Sequence, residues 1–218
     1  MTNKLDIPDF SGDDFANDKG ILETRAAIKA QEKILEDSLL IVQNTLGLEK
    51  TKHRDFSHFH LFKKLDAGLE SSFGSPAQHH ALQASVVSYF SSVSAGKARY
   101  EGWDNYLFGH FFTRKEYPAT YISKESIHEK INDLFVRQDV DFSHSKKFSR
   151  RFHVITEDKG RLSDLLLLKE LDTLCSFREM EIELNGKECL FRHSRSTISV
   201  KEAEKFSELA KALLLVFH

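Results

Sequence analysis

Cysteine, proline and tryptophan are scarce in this chain of 218 residues, which holds two, three and one of them. Cys175 and Cys189 make neither a disulfide framework nor the paired spacing of a zinc site, so both read as small hydrophobes in a reduced, cytoplasmic setting. An excess of one charge is also lacking. The formal charge of −2 and pI near 6.6 supply no general field for holding nucleic acid. The apolar run at residues 39–42 falls far short of the roughly 20 residues that a membrane span needs. The start, residues 1–15, lacks the basic and apolar parts of a secretory signal, so neither an integral membrane segment nor a lone lipid anchor is expected. Catalytic signatures are missing as well: no phosphate-cradling glycine loop, no Gly-x-Ser-x-Gly elbow and no HExxH occur. Hence no catalytic, metal-binding or cofactor-binding residue is assigned.

What the chain does have is phenylalanine, eighteen of them, which points to a core of sheet and helix filled with aromatic rings. With 40% hydrophobic and 29% charged residues it has the balance of a globular rather than a disordered chain. The clearest local signals lie in residues 179–217. Met180, Ile182 and Leu184 alternate with glutamates, and Asn185-Gly186 suits a type I′ turn, so the chain should reverse and pair Cys189 with Ile182 and Phe191 with Met180. Ser199 and Glu202 then form a capping box. Behind it Ala203, Phe206, Ala210, Leu213 and Phe217 share one stripe of a helix that can cover the hairpin.

Upstream, residues 1–18 read as a flexible acidic tail. Residues 19–46 repeat Ile21, Ile28, Leu35 and Val42 every seven, predicting a long amphipathic helix that Gly47 ends. Its apolar stripe is wider than a coiled-coil seam, which favours packing on its own domain over pairing with a second copy. A second helix is expected within residues 50–74, with Phe59, Phe62, Leu65 and Leu69 on one side. Strands follow at 82–90, 97–101, 106–113 and 117–122, with a reversal at 102–105, and short links make them an antiparallel meander. A capping box at Ser126 and Glu129 opens a short helix, residues 148–155 read as a strand, and residues 158–177 as one leucine-rich helix or two. Grouped strands and grouped helices favour an α+β layer, an antiparallel sheet of meander plus C-terminal hairpin packed with helices, over a doubly wound sheet. The domain spans residues 48–218, and its element order allows two similar halves, 48–136 and 137–218.

Residues 139–142, Asp-Val-Asp-Phe, then Phe148-Ser149-Arg150-Arg151-Phe152-His153-Val154 and Glu157-Asp158 resemble the C-terminal signature of a widespread group of uncharacterised prokaryotic proteins. The resemblance covers residues 139–217. Many members of that group are similar in carrying transmembrane helices before the soluble domain, where this chain has an amphipathic helix. The resemblance implies no reaction, and no residue role is transferred.

Eleven histidines raise the question of a metal, with His58 and His60 flanking Phe59 and His79 beside His80. No paired cysteines or regular carboxylates accompany them, so they read as scattered surface or half-buried side chains. Lys146, Lys147, Arg150 and Arg151 form the densest positive cluster. It suits an anion or partner contact, although a charged edge strand protected from pairing is the plainer reading. Trp103 is an anchor for a partner if exposed and core if buried. The leading expectation is a soluble non-enzymatic domain that binds another protein, with self-association through residues 19–47 as a variant. One alternative is a ligand-responsive protein or enzyme whose pocket gathers several of His58, His79, His110, His153, Arg150 and Arg192. A toxin-neutralising protein of the immunity type is the other. Mixed charge on the first helix, Glu23, Lys29, Glu32, Lys33, Glu36 and Asp37, speaks against a membrane-lying role.

Overall fold

The computed structural model describes residues 19–63, 68–76, 82–95, 98–124 and 138–217. In chain order these form α1 (Lys19–Leu46), β1 (Glu49–Lys50), α2 (His60–Lys63), β2 (Gly68–Gly74), β3 (Gln83–Ala95) and β4 (Ala98–Lys124). Then come β5 (Gln138–Asp139), α3 (Lys146–Ser149), β6 (Phe152–Thr156), α4 (Lys159–Leu165), α5 (Leu168–Leu174), β7 (Glu181–Arg192) and α6 (Val200–Phe217). The class is α+β, with an antiparallel sheet and a long N-terminal helix. The acidic tail, the helix expected behind Ser126, and His79 with His80 lie outside the described residues.

Pairing runs β1-β2-β3-β4-β6-β5, with β7 also on β4. Two side-chain contacts explain how β4 serves three neighbours. Glu181 Oε2 accepts from Arg192 Nη2 at 2.6 Å, although the two residues bound β7 and would be about 36 Å apart on an extended strand. So β7 folds back at Asn185-Gly186, where Gly186 has φ 60°, and is the expected hairpin. The guanidinium of Arg192 also lies 5.4 Å over the ring of Phe108, while Glu181 is in register with Ser123. Phe108 and Ser123 therefore meet at one end of the sheet, and β4 must reverse between its pairings at Phe112 and Thr120. Gly109 and His110 pair with both β3 and β7, and Thr120 to Ser123 with both β6 and β7, leaving neither arm of β4 an edge for the other. The order is thus β3, first arm of β4, the two arms of β7, second arm of β4, β6. The C-terminal hairpin is inserted between two parts of the chain laid down earlier.

Several expectations need correction. Among the described residues of 50–74 only His60–Lys63 is helical; β1 and β2 pair there, because Gly68–Gly74 runs as a strand bonded to β3. No reversal occurs at 102–105, since β3 and β4 stay in register from Ala95↔Ala98 to Gln83↔His110. The strand expected from Phe148 starts only at Phe152, because residues 146–149 make the turn of α3. The leucine-rich stretch is two helices, α4 and α5, the first capped by Asp158, whose carboxylate accepts the Arg161 N–H at 2.9 Å.

The period of two along the strands divides the core between two faces. On the first face Phe111, Ile122, Ile182, Leu184, Cys189 and Phe191 meet the α6 stripe of Ala203, Phe206, Ala210, Leu213 and Phe217, all buried as expected. Each large side chain so buried contributes about 2 kcal/mol. Helix α1 packs on α6 through its C-terminal half, where Val42 is fully buried, and Gly47 ends it with φ 63°. On the second face Val87, Tyr106, Phe108, Tyr121 and Leu190 are covered by Phe56, Phe59 and Leu61 from the segment before and within α2.

Candidate functional site

Trp103 lies within β4 rather than at a turn, and its side chain is 60% exposed. It borders a groove of about 290 Å³ with Ile34 and Leu35 of α1, Asp104 and Asn105 of β4, and Ile198 just before α6. The groove forms where the Ile198 N–H donates to the Asn105 carbonyl at 2.8 Å, seating the start of α6 beside β4, and where α1 packs on α6. Ser199 caps α6 by accepting the Glu202 N–H at 3.2 Å. The Glu202 carboxylate turns to His193 Nδ1 at 3.1 Å.

The structure divides the basic cluster by exposure. Lys146, Lys147 and Arg150 are exposed on and after α3. Arg151 is half-buried and its Nη1 donates to the carbonyls of Cys175 and, at 3.3 Å, Phe177, so it holds the end of α5.

Folding does gather titratable groups on the second face. The Glu188 Oε2 atom lies 2.9 Å from His58 Nε2 and 3.2 Å from His110 Nε2, two histidines that the sequence separates by fifty-one other residues. His110 is 2% exposed, and rings of Phe56, Phe59 and Phe112 surround it. Burial pushes its pKa down to about 4, against the opposing hydrogen bond and charge of Glu188. Counting outward from Asn185-Gly186 sets Glu183 opposite Glu188. The Glu183 carboxylate accepts the N–H groups of His60 and Leu61 at 2.9 and 2.7 Å, capping α2; burial raises its pKa although these bonds pull it down. Nearby, the buried Glu181 takes Nε and Nη2 of Arg192 at 2.9 and 2.6 Å and Nε of Arg195. That ion cluster closes the open end of the β7 hairpin beside a cavity of about 190 Å³.

Of the six residues named for a folded pocket, His58 and His110 come together. Arg192 is taken up by Glu181, Arg150 stands apart on the surface, and His153 lies on β6 in register with Ser123. Glu188, Glu183 and Glu181 escaped sequence reasoning: the alternation along residues 179–184 sets Glu181 and Glu183 on one face as its solvent side, whereas the structure buries both. Cys175 and Cys189 are buried and unbridged, and burial raises both thiols, which disfavours the reactive thiolate. Among the described residues no group of three or more His, Cys, Asp or Glu could hold a metal ion, and no helix is long and apolar enough to cross a membrane. No family model, curated protein or solved structure matches the chain.

Proposed function

We propose that this chain is a non-enzymatic binding domain whose partner is another protein, docked in the groove between α1, β4 and the start of α6. The observation that carries this reading is the exposure of Trp103 at the rim of that groove, beside Ile34, itself 45% exposed. Tryptophan is the side chain most often found as the anchor of an interface, because it buries a large rigid surface at little entropic loss. Neighbouring Asp104, Asn105 and Ser199 supply a polar rim. A second copy of the chain is one form of partner, since Ile28 and Leu40 of α1 are also about half exposed. The likeness of residues 139–217 to the prokaryotic group adds no reaction to this reading.

Deleting α1 outright would strip Val42 from the core, so point changes make the cleaner test. Affinity capture and light scattering are run on the full chain, Trp103→Ala and Ile34→Glu, with circular dichroism as the check on folding. Loss of an anchor worth about 2 kcal/mol weakens binding roughly thirty-fold. Capture that survives both changes undiminished would count against the groove. A second reading, a ligand-responsive protein, draws support from His58 and His110 meeting at Glu188. Saturable binding of a small ligand that shifts the His58 resonances and spares Trp103 would favour it.

A further inference from the structure

Between β1 and α2, residues 51–59 run across the second face of the sheet as a strap without regular secondary structure. Phe56 and Phe59 fill that face under it. Residues 51–53 are tied to β2 and β3, the Thr51 N–H donating to the Ser72 carbonyl at 2.9 Å, His53 Nδ1 lying 2.9 Å from Ser72 Oγ and Gln83 Nε2 donating to the Lys52 carbonyl at 3.3 Å. The ties of residues 54–59 lie elsewhere: His58 meets Glu188, and the Arg54 guanidinium sits 4.7 Å over the Phe112 ring. Directly beneath lies His110, with the ring of Phe56 5.5 Å and that of Phe59 5.9 Å from its own. We propose that residues 54–59 are an acid-released cover, lifted from the sheet when His110 takes a proton.

The case rests on where the added proton has to go. With Glu188 accepting at Nε2, the neutral imidazole carries its hydrogen there, and an incoming proton lands on Nδ1. Nδ1 is buried and has no hydrogen-bond partner among the described residues, so the new N–H would be unsatisfied. The charged and titratable groups acting on this ring are Glu188, with Glu183 opposite it, from β7, and Arg54 and His58 from the strap, where Asp55 stands beside His58; neutral Gln83 is in register on β3. Glu183 is occupied by the amides of α2, and Asp55 accepts the Ser57 N–H at 2.8 Å within the strap itself. Among the described residues Glu188 is therefore the carboxylate left beside the ring, between His110 on the sheet and the Arg54 guanidinium on the strap. Lifting the strap separates these charges and gives His110 water. Glu183 has the opposite sense. Burial raises its pKa, so acid relieves it where it stands, and α2 remains docked. Release stops short of residue 60.

The test is hydrogen exchange by mass spectrometry on the full chain at pH 7 and pH 5, with rates corrected for the intrinsic effect of pH. If His110 passes from a pKa of about 4 in the covered state to 6.5 in the open one, protection of residues 54–59 falls about twenty-fold, while that of residues 51–53, of α2 and of β4 stays level. His110→Phe removes the response. Should that variant fail to fold, His110→Gln serves instead: it keeps a donor for Glu188 but cannot take up a proton, so protection of residues 54–59 is the same at both pH values. Equal corrected protection at both pH values in the unaltered chain overturns the proposal, as does a response kept intact in His110→Phe or His110→Gln, or loss of protection throughout the chain together.

Discussion

Gly109 shows how one position can be decided by two neighbours at once. It pairs with Ala84 on one edge and Phe191 on the other, and a Cβ placed there would come within 2.0 Å of the Phe191 ring. That ring cannot retreat, being stacked on Phe206 at 5.3 Å and set edge-on to Phe111 at 5.9 Å. Gly109→Ala is therefore expected to cost about 3 kcal/mol, the upper end for an overpacked core, read as a lowered urea midpoint. A loss under 1 kcal/mol would mean that the packing is slack. His110 makes a second prediction at this scale. Its folded pKa is depressed, so its share of stability is whole above 6.5 and drains away as pH falls towards about 4. Wild type should lose about 2 kcal/mol more between pH 7 and pH 5 than His110→Phe, and equal losses would remove His110 as the cause. Individual residues were legible where their partners are local, as with Gly47 at a helix end and Ser199 capping the amide three residues on. His110 was not, because its acceptor lies 78 residues away and no local period announces it.

Elements were legible in proportion to how far their own pattern outweighs tertiary pairing. The α6 stripe, the C-terminal half of the α1 stripe and the Asn-Gly hairpin stand as read, since periodicity and turn chemistry agree within each, whereas Ile28 and Ile34 of the α1 stripe are about half exposed. Residues 68–74 failed because Phe59, Phe62, Leu65 and Leu69 mimic a helical spacing, whereas the backbone bonds of that stretch are made to β3. The same holds at 102–105, where Gly102 and Asn105 look like a turn until β3 supplies a partner for each residue. The hairpin's open end is held by the buried pair Glu181 and Arg192, and its energetics are unequal. Glu181→Leu leaves the Arg192 guanidinium, 4% exposed, without a counter-charge and is expected to cost about 4 kcal/mol. Arg192→Met leaves Glu181 still bound by Arg195, so the loss should be smaller, and the double variant should recover much of it. A thermal series in which Arg192→Met is the worse of the two would reverse this assignment.

At the scale of the molecule, the fold class follows from the grouping of strands and helices, but the order of strands does not, because nothing local says that residues 181–192 enter between two arms of an earlier strand. That insertion governs stability. The first arm of β4 has β3 and β7 as neighbours, and the second has β7 and β6, so the two arms join one sheet only through the hairpin. The hairpin's inward residues also carry the α6 layer, and its outward ones meet α2, so both faces depend on it. Unfolding is therefore expected to be a single transition. Cys175 and Cys189 offer the check, being buried in the first-face core and free to react once it opens. Their modification by a thiol reagent across a urea series should share its midpoint with the loss of far-ultraviolet circular dichroism. If the thiols instead react while most of the dichroism persists, the C-terminal part unfolds alone, and the sheet does not need the inserted hairpin to stand.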